Sequence, residues 1–175
     1  MNNPKDNRIL SALPKTEYQR LVNLLEPVEL FLNEILLKAR QKCEYLYFPT
    51  QGIVSLLSVM DDNSTTEIGL IGKEGMVGTL QFIGDGISNS QSVVQVKGTA
   101  MRIEASVLRV EFKRSEILQK LLLGYVTEVA SKFQKEGMIQ YKRGLIRIVS
   151  AQKLEAATCE CYQLIYQEFS RLLKY

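Results

Sequence analysis

The stretch 28–109 constrains the fold most, because it is a succession of short strand patterns separated by turn signals. VELFLNEILLKA alternates around an Asn33-Glu34 turn, and the turn DDNS separates SLLSVM from TTEIGLI. EYLYFPTQGIVSLLSVM contains β-rich runs broken by Pro49 and Gly52, and SVVQVKGTAMRIEAS supplies two more strands around Lys97-Gly98. Short strands with regular turn signals, and no long helices between them, predict a closed or sandwiched antiparallel β-fold.

Helical patterns flank this β-rich stretch. Two short helices are predicted between Asn7 and Leu25, and another over SVLRVEFKR. A longer helix starts at Ser115 with SEILQKLLLGYVTEVASKFQ, and about 20 residues give it a length of roughly 30 Å. Its apolar stripe is wide enough to face both its own β-domain and a second subunit, although burial against its own domain alone would give the same pattern. The predicted dimer-helix residues are Leu118, Leu122, Tyr125, Val126 and Val129.

The last part of the chain predicts a hairpin followed by a helix. Gly137 ends the long helix, and MIQYK and LIRIV flank an Arg143-Gly144 turn. KLEAATCECYQLIYQEFSRLLKY has the apolar spacing of an amphipathic helix, which must be buried against the long helix or a second subunit. The predicted organisation is a β-domain over 1–114, a dimerisation helix over 115–134 and a hairpin plus helix over 135–175.

The chain contains no histidine and has three cysteines, Cys43, Cys159 and Cys161. The absence of histidine excludes His-based acid–base catalysis, Ser-His-Asp sites and His-ligated metals. An odd, sparse set of cysteines suits a reducing cytoplasm, and no apolar run is long enough to span a membrane. We therefore expect a cytoplasmic protein that is not an enzyme and holds no metal or cofactor.

Positive charge is concentrated near the predicted hairpin. Residues 1–132 carry 15 Lys+Arg and 15 Asp+Glu, whereas residues 133–175 carry 7 and 4, so the whole excess of +3 lies in the second part. A small basic patch of this kind can contact phosphate groups of DNA, and Lys142 and Arg143 are the candidate contacts. A solvated hairpin without a nucleic-acid partner would show the same charges.

The order of these elements resembles the Crp/Fnr family of bacterial transcription regulators. YLYFPTQGIVSLLSVMDDNSTTEIGLIGKEGMVG and VQVKGTAMRIEASVLRVEF are similar to the family's sensor domain, and GMIQYKRGLIRIVSAQKLEAATCECYQ resembles the end of its winged helix-turn-helix domain. The resemblance implies a mixed β and α fold. Its centre is an eight-stranded antiparallel β-roll of the jelly-roll or double-stranded β-helix type, like a cyclic-nucleotide-binding domain. N-terminal helices, a dimerisation helix and a C-terminal wing-like hairpin plus helix complete it.

The effector pocket departs from the cyclic-nucleotide-binding members of that family. Those members hold the ribose with a Glu after a Gly, and the cyclic phosphate with an Arg followed by Ser or Thr. Here Gly78 matches the Gly, Thr79 replaces the Glu, Ser90 replaces the Arg, and Gln91 replaces the Ser or Thr. Losing a charge-assisted pair removes ~1.5–3 kcal/mol. Tight cyclic AMP binding is therefore not expected, and the effector is left open. Three cysteines also cannot ligate the iron–sulfur cluster of the oxygen-sensing members.

A second departure concerns DNA recognition. Lys132-Phe133-Gln134 joins directly to the wing-like segment, which leaves no residues for the two helices of a helix-turn-helix. The leading hypothesis is a dimeric Crp/Fnr-type regulator with a small effector in its β-roll and with impaired, weak DNA binding. The alternatives are an interaction protein that forms a heterodimer with a full-length relative, and a degenerate remnant. A cupin-like enzyme is disfavoured because cupin sites are usually built on histidines.

Overall fold

The computed structural model describes residues 3–59, 64–83, 86–87, 90–135, 139–142 and 145–148. The chain divides into two compact units, Met1–Leu122 and Leu123–Tyr175. The first unit contains short N-terminal helices, an antiparallel sheet and the start of a long helix. The second unit contains the rest of that helix and a two-stranded hairpin. The two units are described separately below.

One buried asparagine fixes the N-terminal helices to the sheet. The elements of this region are a 3-10 helix at Pro4–Asp6, α1 at Arg8–Ser11 and α2 at Lys15–Val22. The Oδ1 atom of Asn7 accepts hydrogen bonds from the backbone N–H groups of Ile9 (3.0 Å) and Leu10 (3.3 Å), so it caps α1. Its Nδ2 atom donates to the carbonyl oxygens of Pro49 (3.0 Å) and Gly75 (2.9 Å). Asn7 is therefore a satisfied structural residue.

Five strands of the first unit form one antiparallel sheet in the described residues. They are β1 (Glu26–Leu30), β2 (Ile35–Leu37), β3 (Tyr45–Val59), β4 (Thr65–Ile71) and β5 (Ser90–Glu104). The hydrogen-bonded order is β1-β5-β3-β4, and β2 also pairs with β5. The predicted turn between β1 and β2 is confirmed, with Asn33 at a φ of 65°. The β3–β4 hairpin is confirmed as well, with Val59 opposite Thr65.

Strands β3 and β5 are longer than the sequence pattern predicts. Each runs for 15 residues, so the predicted breaks at Pro49 and Gly52 and the predicted turn at Lys97-Gly98 are wrong. Register shifts next to Pro49 and on both sides of Ile53 bend β3 without ending it. A Cβ atom on Gly98 would collide with the carbonyl group of Gln51, so this glycine serves a close approach of two strands. Two long strands thus replace the shorter strands that the sequence pattern predicts in these two stretches.

The core of the first unit lies between the two long strands and the helices that flank the sheet. Its fully buried side chains include Leu46, Phe48 and Val54 on β3, Val94 on β5, Leu10 on α1 and Leu108. Removing one such side chain from water contributes about 1.5–3 kcal/mol. At the start of β3 and of β5, buried residues alternate with half-buried ones, which is the period of two of a strand.

Two helices follow the sheet, α4 at Ala105–Arg114 and α5 at Glu116–Lys135. Ser115 lies between them, and its Oγ atom accepts a hydrogen bond from the N–H group of Leu118 (3.1 Å), which confirms a cap at the predicted helix start. The Nε atom of Arg20 on α2 donates to the nearly buried carboxylate of Glu111 on α4 at 2.6 Å. This ion pair ties α2 to α4.

In the second unit, β6 (Ile139–Lys142) and β7 (Leu145–Ile148) form the predicted antiparallel hairpin. Only residues 136–138 separate β6 from the end of α5. The predicted last helix falls in 151–175, outside the described residues. Within the part of the chain that the structure describes, no helix combines the length and the apolar character that crossing a membrane requires.

Candidate effector site

Gly78 makes the turn that starts the candidate site. Its φ of 91° lies in the region that favours glycine. A Cβ atom at this position would come within 2.5 Å of Cδ2 of Leu46, 3.2 Å of Cδ1 of Leu37 and 3.3 Å of Sγ of Cys43. Both the backbone angle and the packing therefore require glycine here, which explains physically why Gly78 matches the glycine of the resembled family.

Thr79 is the first residue of the short helix α3, Thr79–Ile83. It is 7% exposed, and its Oγ1 hydroxyl donates a hydrogen bond to the carbonyl oxygen of Met76 at 2.6 Å. The N–H group of Phe82 donates to the carbonyl oxygen of Gly78 at 2.9 Å and continues the turn. The one O–H donor of Thr79 is thus committed to the turn, and the side chain brings no charge to the site.

Ser90 and Gln91 begin strand β5 and lie on opposite faces of it. Ser90 pairs directly with Ser58 on β3, and Ser92 pairs with Leu56. Directly opposite and alternate residues share a face of a sheet, so Ser58, Ser90 and Ser92 form one row on the buried face. All three are buried, whereas Gln91 is half-buried on the other face. We call Ser58, Ser90 and Ser92 the serine row.

One hydroxyl of the serine row has no hydrogen-bond partner. Ser92 is fully buried, and among the described residues nothing bonds to its Oγ atom. An unsatisfied buried hydroxyl costs about 1–3 kcal/mol, so a polar ligand or a water molecule would be favoured there. Sequence reasoning missed Ser58 and Ser92. The alternation Ser90-x-Ser92 was the available signal, since two polar residues on an inward face of a predicted strand are unusual.

The segment 75–95 contains no lysine and no arginine. On helix α4, the guanidinium group of Arg109 lies over the ring of Phe82, with 5.3 Å between its Cζ atom and the ring centroid. Arg109 itself is exposed. A cyclic phosphate at the serine row would therefore meet neutral hydroxyl groups, which form weaker hydrogen bonds to an anion than a bidentate arginine does.

A separate cavity of about 240 Å³ opens beside α3, and none of the four predicted pocket residues lines it. Its lining consists of residues 35–38 around β2, residues 41–45 and Tyr47, and Gln81 on α3. Cys43 is buried, as its assignment to the core predicts, and its Sγ atom donates to the carbonyl oxygen of Tyr45 at 3.2 Å. Burial raises the pKa of the Cys43 thiol to about 11, so this thiol stays neutral and unreactive at physiological pH.

The predicted dimer-helix residues divide into two groups. Leu118 and Leu122 are buried within the single chain, with 2% and 0% exposure. Their predicted role in dimerisation stays a prediction, because apolar periodicity cannot distinguish a face that packs on its own domain from one that packs on a partner. Tyr125 is half-buried. Ile117, by contrast, is 42% exposed.

Three of the predicted contact residues fall where the structure gives no side-chain description. Val126 and Val129 lie in α5, and Lys142 is the last residue of β6. Arg143 lies outside the described residues. The roles predicted for these positions, in dimerisation and in DNA phosphate contact, stay predictions.

Comparison with known proteins identifies the fold. The family model described as the cyclic nucleotide-binding domain matches residues 27–115. No curated protein matches the chain. The solved structures similar to it include a cyclic nucleotide-binding domain from Methylobacillus flagellatus, with 14% identity and a TM-score of 0.61 over 75% of this chain and 78% of that one.

Two further solved structures come from larger systems. The N-terminal domain of a transcriptional regulator from Streptomyces coelicolor has 18% identity and a TM-score of 0.56 over 82% of this chain and 100% of that one. The regulatory subunit of a cAMP-independent protein kinase A from Trypanosoma cruzi, bound to guanosine, has 16% identity and a TM-score of 0.58, covering 76% of this chain. The chain spans about half the length of such trypanosomal subunits, 44–48%. At these identities the likeness establishes the fold.

Proposed function

Because the chain belongs to the cyclic nucleotide-binding domain family, we propose that it acts as the sensor of a dimeric Crp/Fnr-type transcription regulator. A small effector in the β-roll would shift the dimer helix and so change how the dimer meets DNA. The regulator domain from Streptomyces coelicolor, which has this fold over its whole length, supports the proposal. So does the position of α5, which follows the sheet and α4 directly along the chain.

The observation that carries the choice of ligand is the neutral serine row. Structures of this fold hold cyclic AMP as well as guanosine, so the fold does not decide the ligand. The support for our choice is charge, since segment 75–95 offers hydroxyl groups and no cation. We therefore propose an uncharged effector with several hydroxyl or amide groups, of about the size of a nucleoside. Such a molecule would give the Oγ atom of Ser92 the partner that it lacks.

Dimerisation in this proposal uses the exposed side of α5. Ile117 and Leu123 are both more than 40% exposed. Among the described residues, nothing lies within 4 Å of the position that a Cβ atom on Gly124 would occupy. Exposed apolar side chains on a helix next to a glycine suit close packing against a second helix. The buried residues Leu118 and Leu122 would hold α5 to its own subunit.

DNA binding in this proposal is weak and insensitive to sequence. Only three residues lie between α5 and hairpin β6–β7, which are too few for the two helices of a helix-turn-helix. A basic hairpin alone contacts phosphate groups, which give affinity without sequence choice. The same short connection favours a second candidate function, a heterodimer with a full-length relative in which only the relative reads DNA. A gel-shift assay with and without excess nonspecific DNA separates the two candidate functions. Only the DNA-binding regulator predicts a salt-sensitive shift by this chain alone, without a full-length relative.

Calorimetry tests the choice of ligand. We expect guanosine or adenosine to bind the full chain more tightly than cyclic AMP or cyclic GMP. Micromolar binding of either cyclic nucleotide would contradict the assignment of Thr79 and Ser90 to an uncharged site. Replacement of Ser92 by alanine should weaken the nucleoside, and the same change at Ser106, an exposed serine on α4, serves as the matched control.

Sedimentation tests the dimer. Wild type should sediment as a dimer at tens of micromolar, and Ile117→Glu as a monomer at the same concentration, because a buried unpaired carboxylate opposes association. Leu70→Glu is the matched control, since Leu70 is 51% exposed on β4. A wild-type monomer at every concentration, or equal behaviour of the two variants, would contradict dimerisation through α5.

A further inference from the structure

The cavity beside α3 combines a buried floor with a charged rim. Its floor and walls contain the buried side chains of Leu37, Cys43 and Gln81, together with the half-buried Tyr45 and Tyr47. Its rim carries exposed polar side chains, which are Lys38, Gln41, Lys42 and Glu44. We call it the lysine-rimmed cavity. Its volume of about 240 Å³ lies just below the range of roughly 300–1,000 Å³ typical of drug-sized ligands, so it suits a smaller molecule.

The floor holds a polar side chain. Gln81 is 3% exposed and lines the cavity. The amide of Gln81 offers two N–H donors and a carbonyl acceptor to a molecule in the cavity.

The rim and its surroundings favour an anion. Lys38 and Lys42 outnumber Glu44 among the lining residues. The charge of Arg109 also acts on the cavity wall, since it opposes the burial that raises the pKa of the Cys43 thiol. The lysines are exposed, so each contributes a small favourable energy, while together they attract anions to the entrance. Burial raises the pKa of Tyr47, so its hydroxyl remains a protonated donor next to the site.

The walls favour a flat molecule. The rings of Tyr45 and Tyr47 both line the cavity. The guanidinium group of Arg102 lies over the ring of Tyr45, with 4.4 Å between its Cζ atom and the ring centroid. The same guanidinium group forms an ion pair with Oε2 of Glu26 at 2.6 Å. Arg102 is thus occupied and holds Tyr45 in place. Aromatic rings of this kind give planar ligands a large contact area at low entropic cost.

From these features we propose that the lysine-rimmed cavity binds a small planar organic anion, a heteroaromatic carboxylate. The carboxylate lies at Lys38 and Lys42, the ring lies against the tyrosines, and a ring heteroatom accepts a hydrogen bond from the amide of Gln81. This site is separate from the serine row and does not depend on the effector proposed there.

Nuclear magnetic resonance of the full chain tests the proposal with three probes of equal size. Nicotinate has both the carboxylate and a ring nitrogen, nicotinamide lacks the charge, and benzoate lacks the ring nitrogen. We expect nicotinate to shift the side-chain NH₂ signals of Gln81. It should bind about threefold to tenfold more tightly than each of the other two, the ratio that one ordinary hydrogen bond or one exposed ion pair supplies.

Variants locate the contacts. Gln81→Leu should bring nicotinate down to the affinity of benzoate. The variant should fold, since leucine has nearly the volume of glutamine and suits a buried position. Lys38→Gln with Lys42→Gln should remove the preference for nicotinate over nicotinamide, whereas the exposed Lys97→Gln should retain it. The proposal is overturned if no probe shifts the Gln81 signals, or if nicotinamide binds as well as nicotinate. Nicotinate affinity that is unchanged in both Gln81→Leu and the double lysine variant would also overturn the proposal.

Discussion

The serine row and the lysine-rimmed cavity lie on neighbouring parts of one domain and differ in charge. The serine row is buried, and the segment that leads to it contains no cation. The cavity is open, and lysines stand at its rim. Helix α3 contributes Gln81 to the cavity, and its first residue, Thr79, is the other predicted pocket residue that replaces a charged one. We propose a neutral ligand for the serine row and an anion for the cavity.

This comparison teaches that membership in the family does not fix where positively charged side chains lie. In nucleotide-binding members the family resemblance places an arginine at the position of Ser90. Here the position is neutral, while positive charge collects at Lys38 and Lys42 on the loop after β2. Each of the following predictions tests one side of this contrast, in order of decreasing expected effect.

Gly78→Ala should damage the turn before Thr79 and the wall of the lysine-rimmed cavity. The new Cβ atom would sit at a φ of 91° and within 2.5 Å of Leu46, and its neighbours Leu37 and Cys43 line the lysine-rimmed cavity. Strain and overpacking together should lower the free energy of unfolding by about 2–4 kcal/mol. Urea denaturation measures this loss. Gly69→Ala is the control, because nothing lies within 4 Å of its Cβ position; an equal loss there would contradict the packing argument.

Placing charged residues at positions 79 and 90 should strengthen cyclic nucleotide binding. In the double variant Thr79→Glu and Ser90→Arg, a carboxylate can face the ribose hydroxyl and a guanidinium can face the phosphate. We expect cyclic AMP affinity to rise about tenfold to a hundredfold, equivalent to roughly 1.5–3 kcal/mol, by calorimetry. Gln95→Arg adds the same charge at an exposed position of β5 and should have no such effect. Unchanged affinity in the double variant would show that the site lacks more than charge.

The sequence predicts much of the fold because periodicity reports which side chains meet water. The β1–β2 turn at Asn33, the hairpin around DDNS and the helix start at Ser115 all carry local signals, and all are confirmed. The family resemblance gives the β-roll, which the match over residues 27–115 supports. The failure at Lys97-Gly98 has a physical cause. A glycine that permits a turn and a glycine that permits two strands to approach are identical in sequence.

The candidate sites were less predictable, since they depend on pairing across strands. Nothing in the sequence places Ser58 opposite Ser90, because 32 positions and two bulged strands separate them. Nor does the pattern distinguish Gln81 from a surface residue of a short helix, although it is 3% exposed. The pairing of Ser58 with Ser90 and the burial of Gln81 both depend on where neighbouring backbone segments lie in the fold. The order of residues along the chain does not give those positions.

The pH dependence of the free energy of unfolding tests whether the cavity wall at Cys43 is buried, in contrast to the exposed lysines of the rim. Burial raises the pKa of the Cys43 thiol from 9.0 to about 11, so the thiolate forms in the unfolded chain at lower pH than in the folded one. The contribution of the neutral Cys43 thiol to the free energy of unfolding is complete below pH 9, and it is lost as the pH rises towards 11. Relative to Cys43→Ala, wild type should lose roughly 1–2 kcal/mol between pH 8 and pH 10.5 in denaturant titrations. A constant difference across that range would contradict a buried thiol.

The smallest effect has an unusual sign and tests the serine row directly. Ser92→Ala removes a buried hydroxyl that has no partner, so it should stabilise the chain by up to about 1 kcal/mol. Ser55→Ala is the matched change on the adjacent strand, where the hydroxyl donates to Oε2 of Glu67 at 2.5 Å, and it should destabilise the chain by about 1 kcal/mol. Urea midpoints compare the two variants. If both lose stability equally, the Oγ atom of Ser92 is satisfied in solution by a water molecule, and the ligand argument at the serine row loses its basis. If Ser92→Ala gains stability yet loses nucleoside affinity, the unsatisfied hydroxyl is a stability cost that ligand contact offsets.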